Sequence, residues 1–348
     1  MILNEFPICE FSEAIISFER AIQLKRDSAD LYVDLGYTLR ELGKFTEAVP
    51  VYQRALTIDP THTLAIRNLG LTYRDLGQLG NALELFESID SQEFRSHILE
   101  CLFTLGEYDR FYETLNHSLA IYGTNIRAAA ISAFASQQLG RPDPHPFCKN
   151  PLDFVRTYEP LNGISKQDER LGDLISCVGS MDAIWEPLGK TTKKGFQTRA
   201  SLFDQPSGPL AWLEQIIKDQ IEKYAEKFAG EDCGFITSFP KKLNLTAWFV
   251  RLAKGGHQTE HIHATGWLSG VFYVQIPKTE DPEEGAIELG LWGYDYPILN
   301  NNYPKQRHYP TAGSLILFPS SLFHRTIPFH GDGERLCIAF DLLPTQNL

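Results

Sequence analysis

The sequence predicts a chain in two parts, an α-helical solenoid followed by a sandwich, jelly roll or barrel of short strands with flanking helices. Three observations predict it. The first third repeats itself at an offset of 34 residues, a proline-dense stretch follows, and from about residue 234 the apolar period falls from 3.6 to 2.

The repeat lies in "ADLYVDLGYTLRELGKFTEAVPVYQRALTIDP" and "LAIRNLGLTYRDLGQLGNALELFESID". Leu35 and Gly36 map to Leu69 and Gly70, Leu42 and Gly43 to Leu76 and Gly77, Ala48 to Ala82, and Tyr52 to Phe86. Gly36, Ala48 and Ala55 let two antiparallel helices approach closely, Tyr32, Leu39 and Tyr52 fill the space between them, and Pro60 stops the second helix. The pattern of small and large residues resembles the tetratricopeptide repeat. It begins in mid-unit at "FSEAIISFERAI", where Ala14 and Phe18 share the phase, so residues 1–10 imply an irregular cap or a piece of a longer solenoid. Beyond residue 90 the spacing is lost, but Leu105-Gly106 and Leu139-Gly140 keep the helix-turn signal of degenerate or capping units. Such solenoids present a concave groove to peptides or other domains, so a protein partner is expected here.

"GRPDPHPFCKNP" (140–151) ends the helical stacking and reads as a linker. A clear helix follows in "SGPLAWLEQIIKDQIEKYAEKFAG" (207–230), where Leu213, Ile216, Ile217, Ile221, Tyr224 and Phe228 form one apolar face and Gly230 a stop. Then come "KLNLTAWFVRLA", "GWLSGVFYVQIP", "GAIELGLWG", "GSLILFPSSLF" and "RLCIAFDLLP", short strands separated by turn residues. The expected domains are a helical repeat domain at 1–142, a linker with lead-in helices at 143–184, and a β-rich domain at 185–348.

Composition bounds the function. With 43% hydrophobic and 22% charged residues the chain is an ordinary globular protein, and a net charge of −12 disfavours nucleic acid or an anionic membrane as the main partner. Six cysteines lie far apart with no CxxC pair, which suits reduced thiols and a cytoplasmic setting. No run approaches the length of a membrane span, and the N-terminus lacks a signal-peptide pattern.

Six of the ten histidines fall between residues 257 and 330. In "EHIHATGWLSGVFYV", His261 and His263 are two apart, so on an extended chain their imidazoles share a face. A strand intervenes before His324 in "GSLILFPSSLFHRTIPF", and "ERLCIAF" brings Arg335. Singly each histidine reads as a structural residue; the joint pattern does not. His257, His308 and His330 lack such support, and Trp248 and Trp267 read as core or pocket-wall aromatics. The chain has no G-x-S-x-G elbow, no cysteine framed by a histidine, and no Walker or dinucleotide glycine motif.

The layout His-x-His, strand, distal His, Arg resembles the Fe(II)/2-oxoglutarate-dependent oxygenases, whose jelly roll, a double-stranded β-helix, carries His-x-Asp, a distal His and a later Arg. "HIHATGWLSGVFYV", "FPSSLFHRTIP" and "ERLCIAF" are similar to a His-x-His subgroup often fused to tetratricopeptide repeats, and "GFQTR" at 195–199 also resembles it. The likeness implies Fe(II) and 2-oxoglutarate as cosubstrate, with His261 and His324 as ligands and Arg335 on the distal carboxylate of 2-oxoglutarate. Arginine suits that task because its planar fork meets a carboxylate bidentately and stays protonated. Tyr273 falls where a strand tyrosine assists the same carboxylate. Position 263 departs from the family, which places a carboxylate there. The third ligand is therefore His263, an open position, or Glu260, which a regular strand would point away.

The resemblance implies a hydroxylase acting on a peptide, a protein or a small molecule. The missing carboxylate supports a different class, a repeat scaffold whose jelly roll binds metal or ligand without turnover. The presence of Arg335 speaks against that alternative, since a structural metal site needs no anchor for a cosubstrate.

Overall fold

The computed structural model describes residues 5–25, 27–89, 91–122, 124–162, 167–187, 189–199, 201–281 and 283–344. The chain divides into two compact units, Met1–Ser118 and Leu119–Leu348.

The first unit is helical: α1 (Glu5–Leu24), α2 (Ala29–Glu41), α3 (Phe45–Ile58), α4 (Thr63–Asp75), α5 (Leu79–Glu87), α6 (Gln92–Thr104) and the start of α7 (Tyr108–Tyr122). The 34-residue repeat is a packing repeat. A methyl carbon added at Gly36 would sit 2.6 Å from the Tyr52 ring, and one at Gly70 would sit 2.3 Å from the Phe86 ring. Each glycine thus lets α2 meet α3, or α4 meet α5, through one fully buried ring. Ala48, Ala55 and Ala82 are completely enclosed for the same reason. The Leu-Gly turns share one geometry. Gly43, Gly77 and Gly106 have φ of 72°, 72° and 78°, and the next N–H reaches back to Leu39, Tyr73 and Leu102 respectively. That left-handed closure of a helix favours glycine, so the turn at 105–106 persists where the 34-residue spacing has been lost. The first four residues of the irregular start lie outside the described residues.

The second unit begins with α8 (Ile126–Leu139), a 3-10 turn at Pro151–Phe154, β1 (Arg156–Tyr158), α9 (Gln167–Gly179), β2 (Ala183–Trp185) and β3 (Thr192–Thr198). α10 (Gly208–Phe228) and α11 (Gly234–Thr237) precede β4 (Leu245–Gln258), β5 (Leu268–Gln275), β6 (Ile287–Gly290), β7 (Lys305–His308), β8 (Leu315–Pro319), β9 (Phe323–Thr326) and β10 (Arg335–Leu342). The strands form a seven-stranded sheet in the order β1-β8-β5-β10-β4-β3-β2 and a three-stranded sheet in the order β7-β6-β9. Their pairings are antiparallel.

β10 shows how the layers arise. Leu336, Ile338, Phe340 and Leu342 pack with Leu213, Ile217, Ile221 and Tyr224 of α10, while Cys337 and Ala339 pack between the sheets with Ile287 and Leu289 of β6. Alternate residues of one strand therefore serve two cores, which is why "RLCIAFDLLP" reads as nearly continuous apolar sequence. The face between the sheets also carries Arg335 and Asp341. The result is a jelly roll backed by helices.

The division into compact units falls between Ser118 and Leu119, ahead of α8. α8 belongs to the second unit because it is buried on most sides, Ile126 and Ala129 join the core behind the large sheet, and Gln138 accepts the N–H groups of Leu299 and Asn300 at 2.7 and 2.9 Å. The segment at 143–184 is likewise part of the unit. Phe147 and Cys148 are buried, the Pro146 and Phe147 carbonyls accept from Gly234 and Phe235, and β1 pairs with β8. The prolines end helical stacking without ending the fold.

Candidate metal centre

His261 lies beyond the end of β4, in an isolated bridge with His324 of β9. The His261 N–H donates to the His324 carbonyl at 3.1 Å and the reverse bond is 3.0 Å, while the His263 N–H donates to the Ser320 carbonyl at 3.1 Å. The segment is extended without being a regular strand, and its two-residue alternation turns both imidazoles the same way. The ring centroids are 4.2 Å apart for His261 and His324, 4.9 Å for His263 and His324, and 5.2 Å for His261 and His263. One nitrogen from each of the three lies within 4.8 Å of the others, the only such group of His, Cys, Asp or Glu found among the described residues that could hold a metal.

The hydrogen bonds of Nδ1 say which nitrogen that is. His261 Nδ1 lies 2.6 Å from the Thr259 carbonyl, and His324 Nδ1 lies 3.1 Å from the Leu322 carbonyl. A carbonyl only accepts, so both Nδ1 atoms carry protons and Nε2 keeps its lone pair. His263 Nδ1 lies 2.6 Å from the Asp341 carboxylate. All three rings thus offer Nε2. Burial, followed by repulsion from His263, pushes His261 from its ordinary 6.5 down to about 3. His324 is driven well down by burial and by its two neighbours. Neutral imidazoles are the ligating form. Histidine nitrogens suit iron, zinc, copper or nickel rather than magnesium or calcium.

Arg335 and Tyr273 form a separate pair in the interior. Arg335 is 1% exposed, its guanidinium carbon lies 5.0 Å from the centre of the Tyr273 ring, and among the described residues it donates to Cys337 Sγ at 3.4 Å. Among the described residues, neither Arg335 Nε nor the Tyr273 hydroxyl has a partner within hydrogen-bond geometry. A buried guanidinium facing no carboxylate is costly, and the two orphaned donors make a cradle for an anion. Arg335 shares a face of β10 with Asp341, about 20 Å away by strand rise.

A cavity of about 520 Å³ opens over the histidines, with His261, His263, Trp248, Gln258, Tyr294 and Asp341 in its walls; Arg335 and Tyr273 are not among them. Glu260 is turned away and pairs with Arg325. Of the other histidines, His330 pairs with Glu284 and His257 contacts the Gly255 carbonyl, both apart from the cluster. Sequence reasoning missed Asp341, Ser269 and Ser320, which stand behind His263. The signal was a second charged residue, Asp341, on the face of an apolar strand that already carried Arg335.

Residues 246–341, spanning β4 to β10, match the family model described as "Putative 2OG-Fe(II) oxygenase". Residues 27–89 match the tetratricopeptide repeat model. Both sequence resemblances are therefore present in the chain. Among solved structures, a Pseudomonas putida prolyl-4-hydroxylase is similar at 13% identity over 55% of this chain and 92% of its own, with a TM-score of 0.39. A Trichoplax adhaerens prolyl hydroxylase, solved with a hypoxia-inducible-factor peptide, gives 13% identity over 64% of this chain and 91% of its own, with a TM-score of 0.40. MamA gives 17% identity over 40% of this chain and 85% of its own, with a TM-score of 0.35. Comparison with curated proteins gave no match. Among the described residues, no helix is long and apolar enough to cross a membrane.

Proposed function

We propose that the second unit is a 2-oxoglutarate- and Fe(II)-dependent hydroxylase. The observation that carries this reading is the convergence of three Nε2 lone pairs in a jelly roll that also buries an arginine with no counter-ion among the described residues. His261, His263 and His324 would hold the metal. When bound, Fe(II) with 2-oxoglutarate reduces dioxygen, yielding succinate, carbon dioxide and a hydroxylated substrate.

The chain's own residues hold and orient. The Thr259 and Leu322 carbonyls fix the ring orientation of His261 and His324. Phe318, with its ring centre 4.7 Å from that of His324, and Trp248, 5.3 Å from that of His263, pack against the imidazoles and restrict their rotation. Arg335 and the Tyr273 hydroxyl receive the distal carboxylate of 2-oxoglutarate, which removes the cost of their unpaired burial. The cavity walls carry Lys190 and Arg199 as well as the carboxylate of Asp341, a lining suited to a substrate with an acidic group. The repeat unit would contribute a peptide or protein partner, by the usual role of such solenoids.

The test is succinate release by the full chain with Fe(II) and 2-oxoglutarate, coupled to direct measurement of 2-oxoglutarate binding. Turnover or binding that disappears in His324→Ala is the expected result. A chain that binds metal but neither binds nor consumes 2-oxoglutarate would be a scaffold instead.

A further inference from the structure

Asp341 is 5% exposed, yet no lysine or arginine pairs with it among the described residues. Its ionic partner is His263, whose Nδ1 lies 2.6 Å from Oδ1. The Ser269 hydroxyl donates to the same Oδ1 at 2.6 Å and lies 2.7 Å from the Ser320 hydroxyl. With Ser269 donating forward, Ser320 must donate to Ser269, so a short relay of hydroxyls ends on the carboxylate. The neighbouring backbone makes room for it. A methyl carbon at Gly266 would come within 2.7 Å of Ser320 Oγ and 2.9 Å of Asp341 Cγ.

A buried carboxylate with no cation beside it is expensive unless a positive charge lies just beyond its hydrogen-bond partner. His263 is that partner, and its far nitrogen points into the cluster of three imidazoles. Asp341 is not itself among the residues whose donor atoms converge, so it cannot act as a direct ligand in this geometry.

We propose that Asp341 is a positioning residue that acts through His263 and supplies, one hydrogen bond away from the metal, the negative charge that a carboxylate at position 263 would supply directly. This rests on the metal-centre reading above. A divalent ion on three neutral imidazoles carries an excess of two charges, whereas one on two imidazoles and a carboxylate carries one. Including Asp341, the buried assembly returns to one. The hydrogen bond also fixes the His263 tautomer and the orientation of its ring, leaving the Nε2 lone pair for the metal. The histidine at position 263 therefore relocates the carboxylate rather than deleting it.

The experiment uses the full metal-free chain titrated with Co(II), without 2-oxoglutarate or turnover. It reads the dissociation constant and the visible ligand-field spectrum. Asp341→Asn keeps an acceptor but removes the charge, and should bind Co(II) roughly 10- to 100-fold more weakly with shifted bands. Ser269→Ala, which keeps the carboxylate but loses its second donor, should shift affinity and spectrum in the same direction by less. Unchanged affinity and spectrum in Asp341→Asn overturns the proposal while leaving the metal centre standing. If that variant fails to fold, unchanged behaviour of Ser269→Ala overturns it equally. Absence of Co(II) binding in the unsubstituted chain overturns the metal reading, and this inference with it.

Discussion

Arg335 stacks over the ring of Tyr273 with its guanidinium carbon 5.0 Å from the ring centre, and both side chains are almost fully enclosed with donors unpaired. An arginine in a core usually answers a carboxylate, and this one answers a ring and a thiol. Arg335→Ala should therefore weaken 2-oxoglutarate binding by about 100-fold, the loss of two charge-assisted bonds at roughly 1.5 kcal/mol each. Arg335→Lys should recover little, because an ammonium cannot reproduce the fork. Calorimetry on the Mn(II)-loaded chain checks both, and metal affinity should remain within about twofold of the parent. Equal loss of metal and 2-oxoglutarate would remove Arg335 from the cosubstrate site.

His324 should be the least replaceable ligand. Its side chain is buried, and its ring centre lies 4.2 and 4.9 Å from those of His261 and His263, the two shortest sides of the triangle. His324→Ala should cost more metal affinity than the roughly 10–100-fold typical of an outer-shell loss, and succinate release should fall to background. Equilibrium dialysis with Mn(II) measures the first and coupled succinate detection the second. Glu260→Gln should leave metal binding intact, since that carboxylate faces Arg325.

The metal-free chain should be acid-sensitive. His261 stays neutral in the folded state down to about pH 3, whereas in the unfolded chain it takes a proton near its ordinary 6.5. Between those values the unfolded state binds more protons, so stability rises with pH and falls on acidification. The contribution is complete above pH 6.5 and is lost by about 1.4 kcal/mol per pH unit below it. His324, also driven down, adds to the slope. Urea midpoints between pH 7.5 and 5 should fall in the parent and fall less steeply in His261→Asn; a parent curve with no slope would show that these imidazoles protonate freely.

In the helical unit, Gly36→Ala and Gly70→Ala should each destabilise by about 1–3 kcal/mol, because the new methyl carbon meets the Tyr52 or Phe86 ring well inside contact distance. Gly80→Ala, which meets nothing nearby, is the control. Urea unfolding followed by far-ultraviolet circular dichroism separates the three.

Much of this molecule was legible in one dimension. The offset of 34 residues fixed that Gly70 and Phe86 repeat the roles of Gly36 and Tyr52, since the same residue at the same helical phase meets the same neighbour; that each glycine lies under that ring came from the packing. The Leu-Gly pairs fixed the helix turns, since left-handed backbone favours glycine locally. His261 and His263 shared a face because extended chain alternates. Their regular strand did not survive, because the chain there is held by a bridge to His324 and by the Ser320 carbonyl.

What the linear order could not decide depends on distant partners. α8 carries a repeat-like turn but packs with the second unit, because its alanine-rich surface fits against partners that arrive later in the chain. The proline-dense stretch looked like a linker, but Gly234 and Phe235 satisfy its carbonyls. The companion of His263 is Asp341, 78 residues away, and only the pairing of β10 with β5 brings Asp341 and Ser269 to that imidazole. Periodicity and turn chemistry are local and can be read directly from the chain, whereas a buried charge finds its partner only when the sheet closes.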